Sequence, residues 1–443
     1  MIRAILLAAG KGTRMKSAHP KVLHELCGRA MLWYVLQALR RAGIGEILVV
    51  TNSQLQERIA EFGVAGVVQT EQRGTGDAVK IALGAMPPHP SACVVVAYAD
   101  MPLVDEDAYA AVMAALDDSA AMSLLTVNLP LPSNFGRIVR GGDDVARIVE
   151  ARDASPSELQ IDEMNAGIYA FRESELRDAV THLRADNAQN EYYLTDVVRH
   201  FVTRGKRVRP VRSDSPLDAL GINDRTELAR ARREMNARLC DRYMRDGMTI
   251  VDPATTYLEP ELSIGRDSII YPNTVISRLS EIGEACTIGP NARLSNAKLG
   301  NGVIVRESVV TDATIGAGTA IGPYAHLRGD SVLGDDVRVG NFVEIKKSEL
   351  ADGVKAAHLS YLGDAVIGSE TNVGAGTITC NFDGREKHAT IIGRDVSIGS
   401  NTSLVAPVVV GDGALTGAGS VVTRDVAPGE RVAGNPAKPL PKN

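Results

Sequence analysis

Ile282-Gly283 and Ile288-Gly289, Ile315-Gly316 and Ile321-Gly322, Leu333-Gly334 and Val339-Gly340, Ile367-Gly368 and Val373-Gly374, Ile392-Gly393 and Ile398-Gly399 share one feature. In each pair an aliphatic residue followed by glycine returns six residues later, and such pairs recur from about Ile264 to Val432. A helix repeats at 3.6 and a half-buried strand at two, so neither accounts for six. A hexapeptide period marks a parallel β-helix, in which each short strand buries one aliphatic side chain in a central stack and turns at a small residue. Three hexapeptides make one triangular coil, and each coil buries its interior only against its neighbours.

The register slips twice. Val339 to Ile367 spans 28 residues, four more than four hexapeptides, and Val373 to Ile392 spans 19, one more than three. Both slips predict a protrusion from the coil. The first interval holds Glu344 to Lys347 and Lys355 to Tyr361, with His358 between; the second holds Thr379 to Arg385. Insertions in repeat proteins gather on one face and often carry the binding site, so the chemistry of this half is expected there.

Upstream, to about residue 225, apolar strands alternate with helical patterns: Arg3 to Ala8, a helix around Met31 to Ala42, Glu46 to Thr51, and Ala92 to Ala97. Continuous apolar strands separated by helices predict a mostly parallel sheet covered on both faces, a Rossmann-like α/β domain. Ligands of such sheets sit beyond the carboxyl ends of the strands, at Ala8 to Arg14 and Tyr98 to Leu103. Asp224 to Asp246 reads as one helix with Leu228, Met235, Leu239 and Tyr243 along a stripe. The expected domains are therefore residues 1–224, a linker helix over 225–247, and a repeat domain over 248–443. Its last part, Pro428 to Asn443, is expected to leave the solenoid as a loose extension.

A chain of 443 residues suits two or three domains, and 44% apolar residues suit a folded one. Aromatic residues at 4% fit a narrow interior filled by Val, Ile and Leu. A net charge of −6 with both signs interspersed gives no nucleic-acid footprint. Five scattered cysteines without a CxxC pair argue against a disulfide framework or zinc site and for a reducing, cytoplasmic compartment. The apolar run Ala4 to Ala9 is too short for a signal peptide, and no stretch is long enough to span a membrane.

Leu7-Ala8-Ala9-Gly10-Lys11-Gly12-Thr13-Arg14 follows a buried strand, and its glycines let backbone N–H groups close on an anion. Pro20-Lys21 and the loop Gln69 to Ala78, with Gly74 and Thr75, follow. Asp100 ends another strand, where a carboxylate can share a magnesium ion with a triphosphate. A Gly-rich turn and a strand-end Asp are each as often structural as functional; their combination is not.

These residues, with Gly136-Arg137-Ile138, Ile148-Val149-Glu150, Glu163-Met164-Asn165-Ala166-Gly167, Asn187 to Asp196 and Gly221-Ile222-Asn223, resemble the sugar-1-phosphate nucleotidyltransferases and, over nearly the whole chain, the bifunctional GlmU family. The resemblance implies that Leu7, Ala8, Ala9, Gly10, Lys21, Gln69, Gly74, Thr75 and Tyr98 hold UTP or the UDP-sugar. It implies that Gly136, Glu150 and Asn165 hold the N-acetylglucosamine phosphate, that Asn223 also belongs to the UTP and UDP-sugar site, and that Asp100 and Asn223 ligate Mg²⁺.

In the repeat half, Gly340 to Lys347, His358-Leu359-Ser360-Tyr361 and Gly374 to Gly384 resemble the acetyltransferase motif of the same family. By that resemblance His358 is the general base and Arg328, Lys346, Tyr361 and Asn372 bind the acceptor sugar phosphate. Ala375, Asn381, Phe382, Ser400 and Ala418 line the acetyl-CoA site. Phe382 stands where the family commonly has Tyr, and Asn435 where an Arg contacting CoA is expected. The resemblance further implies a left-handed β-helix, a homotrimer with acetyl sites between subunits, and supply of precursors for the cell wall and outer envelope. Other hexapeptide β-helices serve as regulatory or assembly modules, as in ADP-glucose pyrophosphorylases; His358 with Lys355, Tyr361 and Asn381 weighs against that here, as two separate constellations weigh against a scaffold.

Overall fold

The computed structural model describes residues 1–440. Its contacts divide the chain into two compact units, residues 1–234 and residues 235 onward. The division falls inside the helix Arg225–Arg245. Asp224 caps that helix, its Oδ1 accepting the N–H groups of Thr226 at 2.8 Å and Glu227 at 2.9 Å. Leu228, Met235, Leu239 and Tyr243 are all buried along it. Its first part anchors in the first unit, where Arg232 donates to the Glu25 carbonyl; its second part anchors in the other, where Asn236 donates to the Thr256 carbonyl at 2.7 Å.

The first unit is built on a sheet whose main path runs Arg207–Ser213, Ala120–Asn128, Glu163–Arg172, Cys93–Tyr98, Ile2–Leu7, Glu46–Thr51, Ala65–Val68. The last four strands are mutually parallel, and Glu163–Arg172 runs antiparallel to both its neighbours. The continuous apolar reading of Ile2–Leu7 has a direct cause. Ala4 and Leu6 face a cluster with Leu32, Val35, Tyr109 and Val112, while Ile5 and Leu7 face one with Val79, Leu176 and Phe201, so both faces are covered. Leu7 pairs with Tyr98 on one side and Val50 on the other. The segments after Leu7 and Tyr98 therefore leave the sheet side by side.

The second unit is a parallel β-helix. One face is the strand stack Thr249–Ile250 through Arg431–Ala433, and the other two faces share a continuous sheet around a tight corner. Successive coils pair in parallel, Ala320 with Arg338, Arg338 with Lys355, Lys355 with Asn372 and Asn372 with Ser397. The recurring aliphatic residues are the interior: Val339, Ile345, Leu350, Leu362, Ile367 and Val373 are each at most 3% exposed.

Two expectations are corrected here. No protrusion leaves the coil between Val339 and Ile367. The interior steps run Val339, Ile345, Leu350, Ala356, Leu362, Ile367, which is five steps with two of them shortened to five residues at the tight corner, and not four steps plus an insertion. Nor is the tail loose from Pro428 to Leu440; the remainder, residues 441–443, lies outside the described residues. Arg431–Ala433 stacks on Leu415–Thr416, and Lys438–Pro439 folds back antiparallel on it, burying Val432 and Ala437 over the open end of the last coil. The second slip is a protrusion as read: between Cys380 and Thr390 the chain leaves the coil in a small hairpin, with Phe382 bridged to Lys387. No helix among the described residues is long and apolar enough to cross a membrane.

Candidate active sites

In the first unit a cavity of about 300 Å³ opens at the carboxyl ends of the central strands. Leu7, Ala8, Ala9, Gly10, Lys21, Gln69, Gly74, Thr75, Tyr98 and Asp100 all line it. Gly74 has φ +108°, and a Cβ there would lie 2.6 Å from the Tyr192 carbonyl oxygen, so the loop closes only with glycine. The Asn187 to Asp196 segment docks on this loop: Gly76 donates its N–H to the Tyr192 carbonyl at 2.8 Å, and the Thr75 hydroxyl accepts from the Leu194 N–H at 3.0 Å. Gln69 is buried and donates to the Gly74 carbonyl and to Asp77, holding the loop's base.

At the cavity's edge the Lys21 ammonium donates both to Asp100 Oδ2 and, at 3.2 Å, to Asn223 Oδ1. The Ile222 N–H bonds the Asp100 carbonyl at 2.9 Å and fixes the two segments together. Two oxygen donors thus converge on one positive charge, the arrangement a hard divalent cation takes. Asp100 caps no helix; the next one, Glu106–Ala114, is capped by Asp105.

Gly136, Glu150 and Asn165 form an adjoining group. Asn165 donates its backbone N–H to the Gly136 carbonyl at 2.9 Å and its amide to the Tyr169 hydroxyl at 2.7 Å. A Cβ on Gly136 would lie 3.4 Å from the Glu150 carboxylate, which accepts from the Thr195 hydroxyl at 3.1 Å. Burial pushes the Glu150 carboxyl up, aided by the negative charges of Asp153 and Asp196 and opposed by Thr195.

The folded chain therefore holds the Glu150 proton more tightly than the unfolded one. Whatever stability the group contributes is fully present below the ordinary carboxylate pKa of ~4.3 and is lost as pH rises through the raised value. Glu150→Gln is expected to melt at a higher temperature than the parent above neutrality, with the gap closing toward pH ~4; a gap independent of pH would contradict this. Reading the sequence missed Gln72, whose amide holds the Ala9 carbonyl at 2.8 Å, and Glu191, which lines the same cavity. Their signal was present in the quoted Gln69 and Asn187 motifs, which give no side-chain direction.

On the β-helix the chosen residues fall into two groups. His358, Ala375, Ser400 and Ala418 occupy one corner in successive coils. The carbonyls of Asn341, His358, Ala375 and Ser400 accept N–H groups from Leu359, Gly376, Asn401 and Gly419 of the next turn, at 2.8, 3.3, 2.7 and 2.8 Å. The His358 ring is exposed, and Asn372 stands on the adjoining face, paired with Lys355 and Ser397.

The second group begins beyond that corner. Arg328 pairs in register with Lys346 and Lys346 with Gly363, while Glu344 pairs with Tyr361. Arg328 Nε donates to Glu344 at 2.9 Å. The hairpin brings Lys387 against Lys346, and that contact, with Arg328 nearby, pulls the Lys346 ammonium below its usual range. Three cations gathered this way suit a phosphate. Asn381, buried at the hairpin's base, donates to Asp364 and at 3.5 Å to the Tyr361 hydroxyl, whereas Phe382 is 59% exposed. Lys387 was missed because a cation 41 residues from Lys346 has no sequence signature as its neighbour.

Residues 4–131 match the MobA-like NTP transferase domain family, residues 253–345 the GMPPB C-terminal domain family and residues 389–424 the bacterial transferase hexapeptide family of six repeats. Relatives match from end to end. The chain is 45% identical over 432 residues to the bifunctional protein GlmU of Trichlorobacter lovleyi, covering 96% of this chain and 94% of that one. It is 43% identical to that of Geobacillus sp. (96% and 93%) and 44% identical to that of Mycolicibacterium gilvum (96% and 88%). With both units spanned together at such identity, the chain belongs to the bifunctional GlmU family.

Proposed function

We propose that the chain catalyses two successive transfers: acetyl from acetyl-CoA to glucosamine-1-phosphate on the β-helix, then uridylyl from UTP to N-acetylglucosamine-1-phosphate in the first unit, releasing pyrophosphate. The observation that carries this reading is the presence in one chain of both a strand-end cavity bearing an acid and a phosphate loop and, on the β-helix, a cation cluster and an exposed imidazole.

For uridylyl transfer, the loop from Leu7 to Gly10 with Gln69, Gly74, Thr75 and Tyr98 seats the nucleotide, and Gly136, Glu150 and Asn165 seat the sugar. Attack of the sugar phosphate on the α-phosphorus brings two anions together, so alignment and charge neutralisation matter more than a protein nucleophile. Lys21 neutralises phosphate charge. Asp100 and Asn223 would hold Mg²⁺, which when bound supplies the remaining neutralisation.

For acetyl transfer, Arg328, Lys346, Lys387 and Tyr361 grip the sugar phosphate and Asn372 completes its contacts. Neutral His358 takes a proton from the substrate ammonium; the amine forms its bond to the thioester carbonyl carbon, the carbon–sulfur bond breaks, and the departing thiolate takes up a proton. Ala375, Asn381, Phe382, Ser400 and Ala418 line the path of acetyl-CoA.

The imidazole corner and the cation face are completed by pairing subunits in a homotrimer. An outward column, Val332, Glu349, Val366, Ile391 and Val409, supports association: its four aliphatic members are 42–45% exposed on one flat face. None of the five cysteines forms a disulfide, which supports a cytoplasmic setting, and the product would feed cell-wall and outer-envelope synthesis. The test is direct. Protein mixed with acetyl-CoA and glucosamine-1-phosphate should release free thiol, and adding UTP with Mg²⁺ should then release pyrophosphate; absence of thiol would leave the β-helix an assembly module.

A further inference from the structure

On the acetyl-transfer reading, Asn381 can serve the chemistry only if its amide is turned one way. An ionised carboxylate only accepts hydrogen bonds, so the contact between Asn381 and Asp364 fixes the amide NH₂ toward Asp364, with the Tyr361 hydroxyl on the same side. The Asn381 backbone carbonyl accepts from the His388 N–H at 2.8 Å, whereas its side-chain oxygen Oδ1 has no hydrogen-bond partner among the described residues. Asp364 is itself held from two sides: its N–H donates to the Lys346 carbonyl at 3.0 Å, and its carbonyl accepts from Thr390, where the hairpin rejoins the coil, at 3.1 Å. It thus stands at the base of both the protrusion and the Lys346–Lys387 cation pair.

We propose that Asp364 is a positioning residue: it locks the Asn381 side chain with its carbonyl oxygen outward, where that oxygen can accept a hydrogen from the attacking amine and aim its lone pair at the thioester. The simpler role for Asp364 is backbone geometry. It has φ +49° and sits in a corner column with Asp312, Asp330 and Lys347, all left-handed. Asn is at home in that conformation, so Asp364→Asn keeps the corner while removing the obligate acceptor and letting the Asn381 amide flip.

Asp364→Asn is expected to lower kcat for thiol release about ten- to a hundredfold, the range for losing a charged hydrogen bond. The KM for glucosamine-1-phosphate should stay level or fall, because a negative charge leaves the neighbourhood of Lys346 and Lys387, and pyrophosphate release should be unchanged. In an Asn381→Ala background the same change should add less than about twofold. Asp364→Gly, which also fits a left-handed corner, should repeat the kcat loss if the Asn variant melts early. Unchanged kcat, or equal losses with and without Asn381, overturns the positioning role while leaving acetyl transfer standing. Failure of the unsubstituted protein to release thiol would instead overturn the acetyl-transfer reading and this role with it.

Discussion

Asp100→Ala is expected to lower the rate of pyrophosphate release by at least about a thousandfold while thiol release continues at the parental rate. The size follows from what the carboxylate does. Asp100 Oδ2 and Asn223 Oδ1 are the two oxygens that converge on the Lys21 ammonium at the rim of the nucleotide cavity. Removing Asp100 leaves one neutral amide oxygen to hold a divalent cation and leaves Lys21 without its charged partner, so the two phosphates meet with much of their repulsion uncompensated. Several kcal/mol of charge stabilisation corresponds to three or more decades in rate. Thiol release should persist because Asp100 and the acetyl residues belong to different compact units. Retained uridylyl transfer would remove Asp100 from the metal assignment; loss of both activities would mean that the change acts through folding.

The complementary result is expected for His358→Ala. Thiol release from acetyl-CoA should fall about a hundred- to ten-thousandfold, the span of general-base catalysis, with pyrophosphate release unchanged. His358 is exposed at a corner whose backbone is held by carbonyl-to-amide bonds between coils, and its ring makes no hydrogen bond among the described residues. The substitution therefore tests chemistry with little cost to the coil. A parallel loss of β-helix stability, or thiol release at the parental rate, would count against the proton-accepting role.

The hexapeptide half was legible because geometry forces it to be: each coil can bury only a few side chains, so Ile345, Leu362, Ile367 and Val373 return on schedule. The false protrusion between Val339 and Ile367 came from the same rule applied too rigidly. Ala356 is small enough to go unnoticed as an interior residue, and the corner after Ile345 or Leu362 takes five residues instead of six, so missing residues read as surplus. The true hairpin was visible because Thr379, a buried polar residue, is followed by an interval too long for any corner. The tail was misjudged for another reason. Prolines suggested an end to structure, whereas Val432 and Ala437 cap the last coil through an antiparallel turn that no six-residue count anticipates.

In the first unit the loops lining the nucleotide cavity were readable one by one, since each follows an apolar strand or carries a glycine that must turn. What joins them was not. Thr195 meeting Glu150, Leu194 meeting Thr75 and Ile222 meeting Asp100 are contacts between segments from 45 to 122 positions apart. Side-chain identity shows what such residues can do, and only the sheet order shows which of them meet.

The central claim is that an imidazole corner from one subunit serves the cation face of another. Co-expressing His358→Ala and Asn381→Ala chains with different tags, and purifying the oligomers that carry both, tests it most directly. Each variant alone should be nearly inactive in thiol release, while the mixed oligomers should recover about a third of the parental activity per subunit, because every ring of three that holds both variants has one head-to-tail contact in three where an intact His358 meets an intact Asn381. Mixed oligomers as inactive as either variant alone would place both residues of each working site in one chain and contradict the shared-site account.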